Sequence, residues 1–408
     1  MMLPLPFQFS QCEASSRLML TMANSEQLSI FKPFRIEQSQ NPFPEKLRSS
    51  RAVVWKNTII VFGGGYTLRD LGGYKEEAFR DPTIVHYYHC SGKWIRQETR
   101  GDKLPKDFYP KVVEILSNKI IVMSFCFRTR SWLTYSLCPV TWTWTWLEPG
   151  GQQPNTLHCR SSWVYNDKVY IFAGFVFDEE LQPVHSNELS CYNASNNNWE
   201  RAHQGGDIPS PRHGQVTIIV EDIVFLFGGH NNNSHDEQDS PEKELFMFDM
   251  KKMRWTRIHK SMDCPIGQRN QIEFHNFNSF TLISKSNAIL FSSLAENCEV
   301  WLFNIDRAKQ LEDPANIWTP VPNHFWRSDF AAVKFPLSQS VWLIGGYDGQ
   351  AGSIASDILK ISSHSIALKD LAIDYIALNM RSEDEMLLPG QIPQDLKYEI
   401  DLHKEKCY

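Results

Sequence analysis

The sequence predicts an all-β protein: a six-bladed β-propeller followed by a short helical tail. A unit recurs along the chain, made of an apolar strand that ends in a doublet of small residues, a variable loop, a second apolar strand and a tryptophan. The spacing of the tryptophans, about 50–60 residues, is typical of one four-stranded propeller blade. These tryptophans are Trp94, Trp144, Trp199, Trp255 and Trp318.

The small-residue doublet marks the end of an apolar strand in each copy of the unit. Backbones that approach closely near the centre of a ring favour residues without a large side chain, above all glycine. The tryptophan one strand later would cover the hydrophobic gap between neighbouring sheets. Unrelated hairpins would not place six such units in register. The doublets are Gly63–Gly64, Ser124–Phe125, Ala173–Gly174, Gly228–Gly229, Ser292–Ser293 and Gly345–Gly346.

The two ends of the repeat predict how the ring closes. The sixth unit has no tryptophan strand after Ile361, whereas the segment Ile30–Ile36, ahead of the first unit, reads as a strand without a doublet. We expect this segment to supply the missing outer strand of the sixth blade, which would hide an aggregation-prone edge. The sequence therefore predicts a flexible N-terminus over 1–27, the propeller over 28–362 and the helical tail over 363–408.

Composition excludes several classes of function. The 408 residues carry 41 Lys and Arg against 47 Asp and Glu, a net charge of −6 without the basic footprint of a nucleic-acid-binding protein. No apolar run approaches the roughly 20 residues of a membrane-spanning helix. Nine cysteines without a Cys-x-x-Cys pair favour a reducing compartment, cytoplasmic or nuclear. No nucleophile motif, phosphate loop or metal-ligand set stands out, so we expect a non-enzymatic protein without cofactor or metal.

After Ser365 the apolar spacing changes from that of strands to that of helices. A second helix is predicted to begin at Pro393, because proline suits the first turn. The apolar positions of the first helix are Ile366, Leu368, Leu371, Ala372, Tyr375, Ile376 and Leu378.

Two short motifs in this tail carry a family resemblance. The positions Ala367, Leu368, Ala372 and Ile376 resemble the elongin-binding box of substrate receptors in cullin-RING ubiquitin ligases, although Ala372 stands where cysteine is common. The positions Ile392, Pro393, Leu396 and Ile400 are similar to the cullin-2 box that follows it in those receptors. Together with the repeat, the chain resembles the kelch-repeat receptors that include kelch domain-containing proteins 2 and 10.

The resemblance implies that the tail binds elongin B/C and cullin-2 while the propeller binds a target protein. Two alternatives stay open. The helices would serve only as a cap packed on the propeller, or the chain would be a kelch scaffold or cytoskeletal binder without a ligase link.

An arginine stands just ahead of the doublet-bearing strands in most units. Equivalent ends of successive blades converge on one rim of a propeller, where guanidinium groups would capture a carboxylate by paired hydrogen bonds. The resemblance to receptors that bind C-terminal ends makes a target's terminal carboxylate the expected ligand. Against this, Arg212 lies in a Pro-Arg-His-Gly segment typical of a structural kelch position. The candidate residues are Arg48, Arg160, Arg212, Arg269 and Arg327.

Overall fold

The computed structural model of the protein describes most of the region assigned to the propeller. The described residues are 35–39, 42–67, 77–79, 81–89, 93–106, 108–126, 128–156, 161–179, 182–231, 243–260, 263–266, 276–294, 297–325, 327–335 and 340–362. The predicted N-terminal segment 1–27, the whole tail from 363 and the candidates Arg160 and Arg269 lie outside them.

These residues form six sheets of four or five strands, which we number as blades 1 to 6 along the chain. The first strand of the described residues is β1 (Arg35–Gln38), which joins the last blade. Blade 1 holds β2 (Arg51–Trp55), β3 (Thr58–Phe62), the loop hairpin β4 (Gly65–Thr67) and β5 (Glu77–Phe79), β6 (Ile84–His89) and β7 (Lys93–Glu98). Blade 2 holds β8 (Arg100–Gly101), β9 (Val112–Leu116), β10 (Lys119–Cys126), β11 (Ser131–Cys138) and β12 (Thr143–Leu147).

Blade 3 holds β13 (Gly150–Gly151), β14 (Ser162–Tyr165), β15 (Lys168–Phe177), β16 (Pro183–Asn193) and β17 (Asn198–Arg201). Blade 4 holds β18 (Gly205–Gly206), β19 (Val216–Val220), β20 (Ile223–Phe227), β21 (Leu245–Asp249) and β22 (Arg254–His259). Blade 5 holds β23 (Asn276–Leu282), β24 (Asn287–Leu294), β25 (Asn297–Asn304), the helices α1 (Ile305–Lys309) and α2 (Pro314–Ile317), and β26 (Trp318–Phe325). Blade 6 holds the loop strands β27 (Arg327–Ser328), β30 (Tyr347–Asp348) and β31 (Ser353–Ile354), with β28 (Ala331–Phe335), β29 (Ser340–Ile344) and β32 (Ile358–Ser362).

The first full strands of the blades form a closed ring. Contacts run from β2 to β9, β14, β19, β23 and β28, and from β28 back to β2. In blades 1 to 5 the next three full strands follow antiparallel in chain order, and in blade 6 the next two do so before β1 completes the sheet. This arrangement confirms the predicted all-β propeller fold.

The described end of the segment Ile30–Ile36, Arg35 and Ile36, follows the expectation for ring closure, and residues 30–34 lie outside the described residues. Strand β1 pairs antiparallel with β32, with Arg35 opposite Ser362 and Gln38 opposite Leu359. A segment ahead of blade 1 therefore supplies the outer strand of blade 6, and the described strand begins at Arg35.

The core consists of six buried clusters, each shared by two neighbouring blades. The repeat tryptophans lie in these seams as predicted: Trp144, Trp199, Trp255 and Trp318 are 1–3% exposed, and Trp94 is partly buried. Each packs toward the preceding blade, so these indoles hold successive sheets together.

Two-residue straps reinforce blades 2, 3 and 4. Strands β8, β13 and β18 each pair in parallel with the outer strand of the blade they enter. In each strap a glycine with positive φ faces a tryptophan carbonyl, which an added Cβ would overlap. The straps shield the outer edges of blades 2 to 4, and the sequence analysis did not foresee them.

The strand order defines two faces of the ring. The loop face carries the doublets and the residues that enter each first strand; there, the Gly174 amide of blade 3 donates to the Arg212 carbonyl of blade 4 at 2.9 Å. The turn face carries the tight turns between the first and second strands; there, Ser117 of blade 2 donates to Asp167 of blade 3 at 3.2 Å.

Candidate functional site

The arginine ahead of the first strand of blade 4 is an internal clamp. The Arg212 side chain is 0% exposed, and its Nη2 lies 2.7 Å from Oε2 of Glu244, just before the third strand. Its Nη1 donates to the carbonyl of Gly228, the first doublet residue, at 3.0 Å. Burial lowers the pKa of Arg212, and the charge of Glu244 opposes this shift. The guanidinium thus fastens three parts of one blade.

Blade 6 repeats this clamp with different residues. Nη1 and Nη2 of Arg327 lie 2.7 Å and 2.9 Å from the two oxygens of Asp357, a bidentate pair. Nη1 also donates to the carbonyl of Gly345 at 3.4 Å, and Arg327 is 6% exposed. Both arginines already hold a carboxylate of the same chain; the sequence analysis raised a structural role for Arg212 alone.

The third described arginine, Arg48, is partly buried at the entry to blade 1. Its backbone forms a two-way bridge with Gly65, at 3.0 Å and 3.1 Å. The structure therefore places all three described candidates on the loop face. The part of the prediction that involves Arg160 and Arg269 lies outside the described residues.

A second group on this face joins three histidines and a phenylalanine at the seam of blades 3 and 4. Nε2 of His185 and Nδ1 of His213 are 2.7 Å apart, and the two rings stack with centroids 4.9 Å apart. His230 bridges His213 through both backbone groups. The Phe175 ring meets His213 edge-on at 4.9 Å. Burial, and then the nearby His230, lower the pKa of His185.

Next to these histidines, the β15–β16 hairpin continues beyond the doublet. Its end exposes two large apolar side chains, Phe177 at 42% and Val184 at 44%. Phe177 contacts Phe175 with centroids 5.3 Å apart, which links the exposed end to the histidine group. Exposed aromatic groups beside polar ones are typical of protein-binding surfaces. We call Phe175, Phe177, Val184, His185 and His213 the hairpin patch.

Sequence reasoning missed the carboxylate halves of the clamps and the group of three histidines. The signal for the clamps was present: Glu244 and Asp357 each come directly before a third strand. The loops ahead of Glu244 and Asp357 differ in length, so the sequence does not show that the two carboxylates occupy equivalent positions in their blades. The members of the hairpin patch come from separate segments, so only the ring brings them together.

No group of three metal-ligating side chains forms within the described residues. No helix among them has the length and apolarity to cross a membrane.

Comparison with known proteins identifies the repeat. The model of the KLHDC2/KLHL20/DRC7 Kelch-repeats domain matches residues 49–283. The chain is 24% identical over 228 residues to the human (Homo sapiens) leucine-zipper-like transcriptional regulator 1, covering 52% of this chain and 24% of that protein. It is 34% identical over 104 residues to the Rab9 effector protein with kelch motifs of Bos taurus, covering 25% and 27%.

The matches to curated relatives are partial. A putative protein tag-53 of Caenorhabditis elegans is 26% identical over 121 residues, 29% of this chain and 9% of that protein. The chain thus spans 9% to 27% of the length of these three relatives. The solved structure of YjhT superposes with a TM-score of 0.48 at 11% identity, covering 79% of this chain and 98% of that one. The family match covers more than half of the chain, which belongs to the KLHDC2/KLHL20/DRC7 kelch-repeat family of protein-interaction propellers.

Proposed function

We propose that this protein is a non-enzymatic substrate receptor of a cullin-RING ubiquitin ligase. The propeller would bind the target protein through its loop face. The tail would recruit elongin B/C through Leu368 and its neighbours, and cullin-2 through Pro393 and Leu396.

The observation that carries this proposal is the separation of two faces. The hairpin patch lies on the loop face, whereas the last described strand, β32, ends at Ser362 on the turn face. The register places Ser362 there, because its neighbour Ile361 pairs with Val341 near the start of β29. A tail that leaves the propeller on the face opposite the target would let the protein bind the ligase subunits and the target at the same time without a steric clash.

A terminal carboxylate remains the proposed feature of the target. Because Arg212 and Arg327 already hold Glu244 and Asp357, an incoming carboxylate would share or displace an internal partner at those two sites. Arg48, Arg160 and Arg269 stay candidates for carboxylate binding, as the sequence analysis names them. Peptides with a free C-terminus should bind more tightly than amidated copies, and equal affinities would remove the carboxylate from the proposal.

Affinity purification of the full chain from cells tests the ligase link. Elongin B/C and cullin-2 should co-purify with the wild-type chain and with Lys369→Glu. They should be lost with Leu368→Glu, since an unpaired charge does not enter an apolar groove. The pair Pro393→Ala and Leu396→Ala should weaken cullin-2 and spare elongin. Absence of elongin from the wild-type sample would favour the scaffold or cytoskeletal function instead.

A further inference from the structure

On the turn face, aromatic side chains gather at the seam of blades 1 and 2. Trp55 ends β2, Tyr87 lies in β6, and Trp142 lies in the turn between β11 and β12. The rings of Tyr87 and Trp142 stack with centroids 4.9 Å apart and planes 21° apart. All three residues are partly exposed, and Val140 in the same turn is 70% exposed. We call Trp55, Tyr87, Val140 and Trp142 the aromatic seam.

The backbone at Trp142 makes this placement unusual. Its φ is +53°, in the left-handed region that bulky residues rarely adopt. Blades 3 and 4 have the same four-residue turn, with Asn197 and Met253 in the same conformation at the same position. The turn therefore requires this conformation whichever residue fills the position, and in blade 2 it presents a partly exposed indole on the turn face.

Basic residues surround the aromatic seam on the same face. Lys56, Lys93 and Lys119 are exposed, and Nζ of Lys56 lies 5.2 Å from the centroid of the Trp55 ring. The described turn-face residues of blades 1 and 2, 55–58, 88–89, 93, 116–119 and 138–143, contain no Asp or Glu. The aromatic seam is therefore both apolar and positively charged.

The chain supplies a segment of matching chemistry that starts nearby. Residue 362 lies on the turn face of blade 6, whose first strand β28 contacts β2 of blade 1. The segment 366–378 has apolar residues at helical spacing, and Glu383, Asp384 and Glu385 follow it. Four extended residues reach about 13 Å and a 13-residue helix spans about 20 Å, so the far end of the segment can lie about 33 Å from residue 362, in the direction of blades 1 and 2.

We propose that residues 366–378 of the C-terminal tail dock on the aromatic seam, with the acidic residues 383–385 beside the lysines. Another exposed apolar residue on this face, Leu311 in blade 5, is 51% exposed but adjoins Glu312 and Asp313. Like charges there would repel the acidic residues, which is why we assign the aromatic seam. The docked tail and elongin would compete for Leu368, yet the docking does not depend on the proposed ligase function.

Hydrogen–deuterium exchange of the full chain without partners tests this proposal. Amides of 366–378 should exchange more slowly than those of a free peptide of the same sequence. The double variant Val140→Glu, Lys119→Glu should raise their exchange rates at least tenfold. Both residues are exposed, so the propeller strands should exchange as in the wild-type chain. The matched control Leu311→Glu should leave tail exchange unchanged.

Three outcomes would overturn the docking. Tail amides that exchange as fast as the free peptide in the wild-type chain would show that nothing covers them. Protection that survives the double variant would assign the tail to another surface. Protection that disappears on dilution would assign it to a second copy of the chain. Because elongin is absent from this experiment, a failure of the docking proposal leaves the ligase proposal intact. A failure of elongin to bind would likewise leave the docking proposal intact.

Discussion

The indole Nε1 of Trp318 donates a hydrogen bond of 3.0 Å to Nε2 of His259, the residue that ends the outer strand of the preceding blade. This bond ties blade 5 to blade 4 inside a buried seam. The same relationship recurs twice, from Trp144 to Thr99 at 2.8 Å and from Trp255 to Gln204 at 2.9 Å. The same type of hydrogen bond between blades thus has a different acceptor residue in each of the three seams.

The first prediction concerns acid stability. As an acceptor at Nε2, the His259 ring is neutral and donates from Nδ1 to the Lys260 carbonyl at 3.0 Å. Burial lowers the pKa of His259 below its ordinary 6.5. The unfolded chain therefore takes up the proton first, and stability falls as the pH drops below about 6.5. His259→Gln should remove this part of the loss, since Gln204 plays the same role one blade earlier.

Urea unfolding between pH 5 and pH 8 measures this difference. The free energy of unfolding of His259→Gln should depend less on pH than that of the wild-type protein. His203→Gln, at an exposed histidine of blade 4, is the control and should follow the wild-type curve. Equal curves for His259→Gln and the wild-type protein would contradict the neutral acceptor.

A second prediction has the opposite pH dependence. Glu114, on the inner strand β9, has a pKa raised to about 7 by burial, opposed by a 2.6 Å hydrogen bond from Ser162 and by the charge of Arg51. The folded state thus keeps a proton that the unfolded state releases near pH 4.5, so the stability contribution is lost as pH rises toward 7. Glu114→Gln should be more stable than the wild-type protein at pH 8, by about 1–3 kcal/mol.

At pH 4 the carboxyl group is largely neutral in the folded state, so the advantage of Glu114→Gln should shrink to nearly nothing. Thermal or urea unfolding at both pH values is sufficient. A variant that is less stable than the wild-type protein at pH 8 would show that Glu114 is ionised and well paired.

The straps give a third prediction. In β18, Gly206 has φ +79° and a Cβ there would overlap the carbonyl oxygen of Trp255. Gly206→Ala should lower the free energy of unfolding by about 2–4 kcal/mol, from backbone strain and the clash together. Gly205→Ala is the matched control, because the nearest atom to its added Cβ is 4.0 Å away. Similar losses for both variants would indicate that the strap adds no specific constraint.

Much of the fold can be predicted from the sequence, because the fold depends on residues that are buried at a regular spacing along the chain. The doublets and the tryptophans each report a repeated packing environment, and the buried seams lie where these residues predict. The straps were not predicted, because a strand of two residues is too short to show an alternation of apolar and polar residues. Their signal is a glycine seven residues after a tryptophan, in Trp94 to Gly101, Trp144 to Gly151 and Trp199 to Gly206.

The candidate site was less predictable, since its residues meet only through the ring. The sequence indicates a structural position for Arg212 through its Pro-Arg-His-Gly segment, but its partner Glu244 lies 32 residues later, beyond a loop of variable length. The hairpin patch depends on how far β15 and β16 extend beyond the doublet, which hydrophobic spacing does not specify.

The clamp of blade 4 supplies a fourth prediction. Arg212→Ala leaves the carboxylate of Glu244 without its main partner and empties a buried site, so it should cost about 3–5 kcal/mol. The contrast is Arg201 in blade 3, an exposed side chain that lies 3.7 Å from the partly buried Glu188. Arg201→Ala should cost less than about 1 kcal/mol. Chemical denaturation measures both, and a small loss for Arg212→Ala would return this arginine to the list of available ligand-binding groups.

The last prediction separates target binding from folding and from ligase recruitment. Phe177→Asp with Val184→Asp places two charges on the exposed end of the β15–β16 hairpin, where the side chains are already 42% and 44% exposed. The free energy of unfolding should therefore change by less than about 1 kcal/mol. Target proteins that bind the wild-type chain through an apolar contact should be absent from the affinity-purified sample of this variant. Elongin should remain, since the tail leaves on the other face. Val140→Asp, a charge on the turn face, should keep the bound targets. Retention of every target by the hairpin variant would move the target-binding surface away from the hairpin patch, to another part of the loop face or to the channel.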